Sequence, residues 1–377
     1  MSGSKKNERT APQGAQREIV VKRGETIAFP VGSKHPLAKC QHLKVAKSVE
    51  DLADFLFIER ERSRLKKAAE PGATERPLFV SESQMLRRMK GWGEILTVTF
   101  PDLIIEAGAT VELRQPLNRV IANRVIVAGC LKVYGHLSVK ATELRGGSGE
   151  IIFPAEDGRD GDNHDLDQPS QAGTGYDGTA AFDESHQHIG AQPGGDGEEG
   201  RTGTSGGHGP PGGDNYTVRC DVGTIGPGLA VIARGGNGGR GGNGGPGDTG
   251  GQGGKGGNGS ELLPLGGRGG NGGMGGRGGF AGRGGDGGKG AEIVIYAQRD
   301  ESGGDISVDV RGGDAVGDGN PGRGGNGGVG GQGGTSPCGS FWYGASGGPG
   351  DSGAPGHRQQ EPISNGADGR FELRIAE

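Results

Sequence analysis

Between Glu94 and Phe153, apolar and polar residues alternate in short runs: EILTVTF, LIIEAGATVEL, RVIANRVIVAG, LKVYGHLSV and EIIF. Val111–Leu113 and Leu131–Val133 show the period of two directly. β-Branched runs of this length, bounded by Gly, Asn or Pro, predict strands with one buried face. A sandwich and a β-solenoid both fit. Successive units AGATVEL, AGCLKVYGHLSV and KATELRGG, each turning at glycine, favour the solenoid. Upstream, IVVKRGETIAFPV at 19–31 reads as short strands about a Gly24 turn. Ser48 and Asp51 form a capping box. Val49, Leu52, Ala53, Leu56 and Phe57 then make one apolar stripe, predicting a helix over about 49–69 that ends at Pro71-Gly72. A second short helix is expected over 82–90.

After Arg145 the alternation gives way to glycine. Of 88 glycines, only 10 lie in residues 1–145. Glycine recurs at every third position from Gly194 to Gly212. Residues 235–259 follow GGX in one phase, with X at Asn237, Arg240, Asn243, Pro246, Thr249, Gln252, Lys255 and Asn258. The same GGX pattern recurs over 266–290 and 322–335, and a short run follows at 347–356. Strand-like pieces separate the runs: 229–234, 291–298, 305–311 and 370–376.

A period of three belongs to the polyproline-II helix, which has three residues per turn and no internal hydrogen bonds. GGX gives such a helix one edge with side chains and two bare edges. Bare edges let neighbouring backbones approach and satisfy each other's N–H and C=O groups. The fold class expected is therefore mainly β with a polyproline-II/polyglycine-II helix bundle, stacked antiparallel, a β-solenoid-like middle and a small helical N-terminal region. GGNGGRGGNGG, GGRGGNGGMGGRGG and GRGGNGGVGGQGG, within residues 224–357, resemble the polyglycine-II sandwich domains of phage tail-fibre adhesins in their periodicity. That resemblance implies a rigid mount whose loops at the tip contact a host receptor. The basic head and the β-rich middle depart from that pattern.

Composition and charge set the organisation. Residues 1–90 carry 19 Lys+Arg against 11 Asp+Glu, while the whole chain has a net charge of −5. A basic head on an acidic body suggests attachment to an assembly partner. The expected division is a tail at 1–20, a basic α/β attachment region at 21–93, a β-rich domain at 94–155, Gly/Asp-rich loops at 156–222 and the glycine bundle at 223–377. The opening residues lack the apolar core of a secretory signal. No stretch reaches the ~18 apolar residues of a membrane span. Cys40, Cys130, Cys220 and Cys338 are too widely spaced for a disulfide framework or a zinc site. Cytosolic synthesis is expected, with a virion or extracellular location reached by lysis or non-classical export.

Several chemistries fall away. A collagen triple helix needs Pro/Hyp above ~15–20%, and the chain has 20 prolines in 377 residues. Eight RGG triplets occur, at Arg145, Arg234, Arg240, Arg268, Arg277, Arg283, Arg311 and Arg323. Residues 234–335 have no net charge, however, and only Phe280 and Tyr296 as aromatics, so nucleic acid is a weak partner. Gly254-Lys255 and Gly288-Lys289 are both followed by glycine, so no Walker motif exists. Glu198-Glu199 is a carboxylate pair without a supporting constellation, and a β-solenoid carbohydrate-active enzyme stays a secondary alternative beside an RGG-type binder. Asp160, Asp162, Asn163, Asp165 and Asp167 are hard oxygen donors in a glycine-turned loop, the candidate calcium ligands. His186 and His188 form a sparser transition-metal candidate. Phe341, Trp342 and Tyr343 are consecutive aromatics in a region that has few. They are candidates to grip a surface glycan or protein receptor, or to cap the open end of the bundle. The function expected is a non-enzymatic structural or adhesive protein that displays loops from a rigid mount.

Overall fold

The computed structural model describes residues 19–45, 94–165, 167–184, 187–358 and 361–376. The helices expected over 49–69 and 82–90 lie outside them. Seventeen strands are formed among the described residues: β1 (Ile19–Val21), β2 (Thr26–Phe29), β3 (Gln41–Val45), β4 (Glu94–Thr99), β5 (Asp102–Ile105), β6 (Thr110–Leu113), β7 (Leu117–Val127), β8 (Cys130–Val133), β9 (His136–Gly146), β10 (Glu150–Ile152), β11 (Phe182–Glu184), β12 (Gln187–Ile189), β13 (Thr217–Ile225), β14 (Leu229–Ile232), β15 (Glu292–Asp300), β16 (Ile306–Asp309) and β17 (Arg370–Ile375).

From β5 onward, β11 and β12 apart, the chain alternates between two sheets. The nine-stranded sheet runs β1-β5-β7-β9-β13-β15-β17, with β4 beside β7 and β3 beside β4. The six-stranded sheet runs β16-β14-β10-β8-β6-β2. All these pairings are parallel except β3 with β4. The register stacks like residues: Val98, Val120, Val139, Cys220, Ile295 and Leu373 form one row of the first sheet. Val111, Leu131, Ile151, Val231 and Val308 form one row of the second. These rows face each other in a single core that takes residues from Ile19 to Ala297. Period-two alternation and β-branching put these side chains on one face. Several turns between the sheets use a left-handed residue, among them Gly24, Gly108 and Gly228.

The expected fold class is corrected by this architecture. No α-helix and no helical bundle occur among the described residues, only 3-10 turns at Pro36–Cys40 and Ser340–Trp342. The strand-like pieces expected between the glycine runs do form strands, and they join the same two parallel sheets as the earlier ones. The physical reason lies in burial. Each of those pieces has an apolar face that the bare glycine segments cannot cover, and the stacked rows of the earlier strands can.

The glycine-rich sequence forms three long hairpins that leave the second sheet and return to the first: 153–216, 233–291 and 310–369. Within the GGX run 235–259, successive N–H groups of a triplet go to different neighbouring segments. Gly238, Gly250 and Gly253 donate to the carbonyls of Asp314, Asn326 and Val329, a parallel neighbour. Gly239, Gly251 and Gly254 donate to Pro210, Glu198 and Gly195, an antiparallel neighbour. Neighbours therefore run both ways. At three X positions the N–H goes to a side chain: Asn237 to Asp157 Oδ1 (2.6 Å), Arg240 to Asp160 Oδ1 (2.9 Å) and Lys255 to Asp177 Oδ1 (2.8 Å). In turn Asn237, Asn243 and Asn258 accept from the N–H groups of Asp314, Asn320 and Thr335. Asn and Asp are thus common at X because a short carbonyl side chain closes the one backbone donor that glycine packing leaves open.

Asn243→Ala removes the acceptor for Asn320 N–H (2.8 Å) and the donor to Asp165 Oδ2 (3.0 Å). Both bonds are exposed, so a loss of about 1 kcal/mol is expected from urea unfolding.

Candidate binding end of the glycine hairpins

Three hairpins require three tips, and backbone bonds hold these side by side. Ala181 N–H donates to Asn258 (2.7 Å), Gly259 N–H to Thr335 (2.8 Å), and Gly266 N–H to Trp342 (2.9 Å). At the first tip, β11 and β12 pair antiparallel, with Phe182 opposite Ile189. The second tip, 260–265, is closed by Ser260 N–H to the Leu263 carbonyl and by Leu263 N–H to Ser260 Oγ. The third, 336–343, turns on Ser336 Oγ, which accepts from Cys338 N–H (3.1 Å), and on Gly339 at φ +103°. The 3-10 turn Ser340–Trp342 then fans out the aromatic side chains. The Phe341 and Trp342 rings meet edge to face at 6.4 Å.

Phe341 is 95% exposed, and Trp342 and Tyr343 about half as much. The aromatic trio singled out in sequence therefore stands in solvent. It is joined there by residues that sequence reasoning missed. Leu262 and Leu265 are 67% and 62% exposed, and Phe182 and Ile189 are about half exposed. The signal was available in ELLPL, an apolar run with no glycine phase and no strand alternation. None of 179–191, 259–266 or 335–345 contains lysine or arginine, whereas Asp183, Glu184 and Glu261 are acidic. Exposed apolar residues gathered at one end, against hairpin walls that are mostly glycine and polar, mark a contact surface.

The acidic candidates sit elsewhere, along 153–181. Asp160 Oδ1 and Asn163 Oδ1 accept the backbone N–H groups of Arg240 and Asn243. Asp165 Oδ2 accepts from Asn243 Nδ2, and Asp167 Oδ2 lies 3.1 Å from His164 Nδ1. Asp162 accepts Gly207 N–H through its backbone carbonyl. Among the described residues, no three His, Cys, Asp or Glu side chains gather closely enough to hold a metal ion. His186 lies outside the described residues, as does the side chain of His188. Of the RGG arginines, Arg145 pairs with Glu143, Arg283 with Asp286, and Arg234 and Arg311 with Asp309, while Arg277 lies over the Phe280 ring at 4.9 Å. Asp309 is held well below the usual carboxylate range, first by its bond from Arg234 and then by that from Arg311.

The thiols separate by place. Cys220 lies in the core, where burial pushes its thiol up to about 12. Cys338 is exposed on the third tip. A thiol reagent at pH 8 is expected to label Cys338 within minutes and Cys220 only on unfolding. Mass mapping of the labelled peptides checks this.

No helix among the described residues is long and apolar enough to cross a membrane. Comparison of the chain with protein-family models, curated proteins and solved structures finds no match.

Proposed function

We propose that the protein is a non-enzymatic display scaffold. The two-sheet coil and its cross-linked hairpins form a stiff support, and the three tips make contact with a surface-borne partner. One observation carries the reading: seven exposed apolar side chains from three separate loops are brought to one end by backbone hydrogen bonds at their roots. The periodic likeness to tail-fibre adhesins supports the same reading. Pre-ordered tips lose little conformational entropy on binding.

The test is retention of fluorescently labelled protein on a panel of bacterial and animal cell suspensions. The triple variant Phe341→Ser/Trp342→Ser/Tyr343→Ser is expected to lose at least tenfold in retention with its melting temperature unchanged, since these side chains pack on nothing in the core. Equal retention of variant and parent would remove the tips as the contact.

A further inference from the structure

The chemistry of the tips narrows the partner, on the reading that the tips are the contact. Phe182, Ile189, Leu262, Leu265, Phe341, Trp342 and Tyr343 come from convex loops. Four of the seven are aromatic, and Trp and Tyr favour the headgroup level of a bilayer, where one end of the ring is apolar and the other wet. Phe and Leu supply the apolar face of interfacial anchors. Recognition of a glycan needs directed polar groups around the ring faces, and Ile189, Leu262 and Leu265 bring none.

Charge decides between kinds of bilayer. Proteins that seek anionic leaflets carry clusters of lysine and arginine. These tips have neither, and the exposed Glu261 gives them negative charge. An anionic leaflet would repel them. A choline headgroup instead presents a quaternary ammonium outward, which suits both carboxylates and aromatic faces.

We propose that the hairpin end docks on a zwitterionic, choline-headgroup lipid surface, with the Phe341–Tyr343 turn and Leu262 and Leu265 entering the headgroup layer. Insertion is shallow, because each tip is anchored at its root by the bonds of Ala181, Gly259 and Gly266. Binding needs no change of fold.

The experiment is flotation of the full chain with vesicles of pure dioleoylphosphatidylcholine, and with vesicles in which about a third of the lipid is phosphatidylserine. The expected result is co-flotation with the first and at least threefold less with the second. Both Phe341→Ser/Trp342→Ser and, on a different tip, Leu262→Ser/Leu265→Ser are expected to reduce co-flotation at least fivefold. Quenching of the Trp342 emission by headgroup-region spin label gives an independent readout, scored against Trp342→Phe because Trp92 also emits. No co-flotation with phosphatidylcholine, stronger co-flotation with phosphatidylserine, or no effect of either variant overturns the proposal. Cell retention that is lost in the triple variant without any vesicle binding overturns the lipid partner alone. Cell retention indifferent to the tips removes the scaffold reading beneath it.

Discussion

Gly254→Ala is expected to destabilise the protein by about 3 kcal/mol, while Gly317→Ala leaves it within ~0.5 kcal/mol of the parent. A Cβ at Gly254 would stand 1.9 Å from the Tyr176 carbonyl oxygen and 2.8 Å from that of Gly175. Both are backbone atoms held by their own segment, so no side chain can swing aside. The same glycine donates its N–H to Gly195 and accepts from Gly270. A shift that relieves the clash therefore strains bonds to two further segments. Gly317 has nothing within 4 Å of the same position and no left-handed φ, so its methyl enters solvent. Urea unfolding of the two variants in parallel separates lattice packing from the general helix- or strand-independent effect of glycine on the unfolded chain. If Gly254→Ala matched Gly317→Ala, the close approach of the segments would be wrong.

That contrast also shows what the sequence could and could not reveal. The phase of GGX was readable because it repeats every three residues, the same interval at which the segments bond. The continuity of the two sheets was hidden by a change of period. Val98, Val120 and Val139 recur at about 20 residues, whereas Val139, Cys220, Ile295 and Leu373 recur at nearly 80. Each later coil contains a whole glycine hairpin, so its strands look like interruptions of a glycine domain. Short-range alternation cannot report a partner that far along the chain. The same limit applies to the tips. Phe341–Tyr343 stood out as neighbours in sequence, but Phe182, Ile189, Leu262 and Leu265 became neighbours of that trio only through hairpin stacking. Asp160 and Asn163 were legible as oxygen donors. Their acceptance of N–H groups 80 residues away was not, because it depends on which segment lies alongside.

The seam where the first glycine hairpin rejoins the coil carries the second large effect, loss of stability between pH 6.5 and 4. Asn215 Nδ2 donates to the carbonyls of Phe153 and Arg234, tying outgoing and returning chain together. Tyr216 packs edge to face on His136 at 5.4 Å, and Thr217 N–H donates to His136 Nδ1 at 3.1 Å. An accepting Nδ1 requires the neutral ring. Burial pulls His136 down to about 4, against ~6.5 in an unfolded chain. The folded state therefore resists the proton that the unfolded state takes up. Stability from this group is complete above pH 6.5 and falls as pH drops toward 4, by about 3 kcal/mol in all. Protonation places a donor against the Thr217 N–H, so the seam at β13 opens first. The depressed carboxylates Asp102, Asp309 and Glu372 act in a separate window, below their unfolded value of about 4. Urea unfolding at pH 7, 6, 5 and 4 is expected to show the decline in the parent and a nearly flat profile in His136→Gln, which cannot ionise. A parent profile flat to pH 4 would place the His136 proton equilibrium outside the folding reaction, and with it the account of the seam.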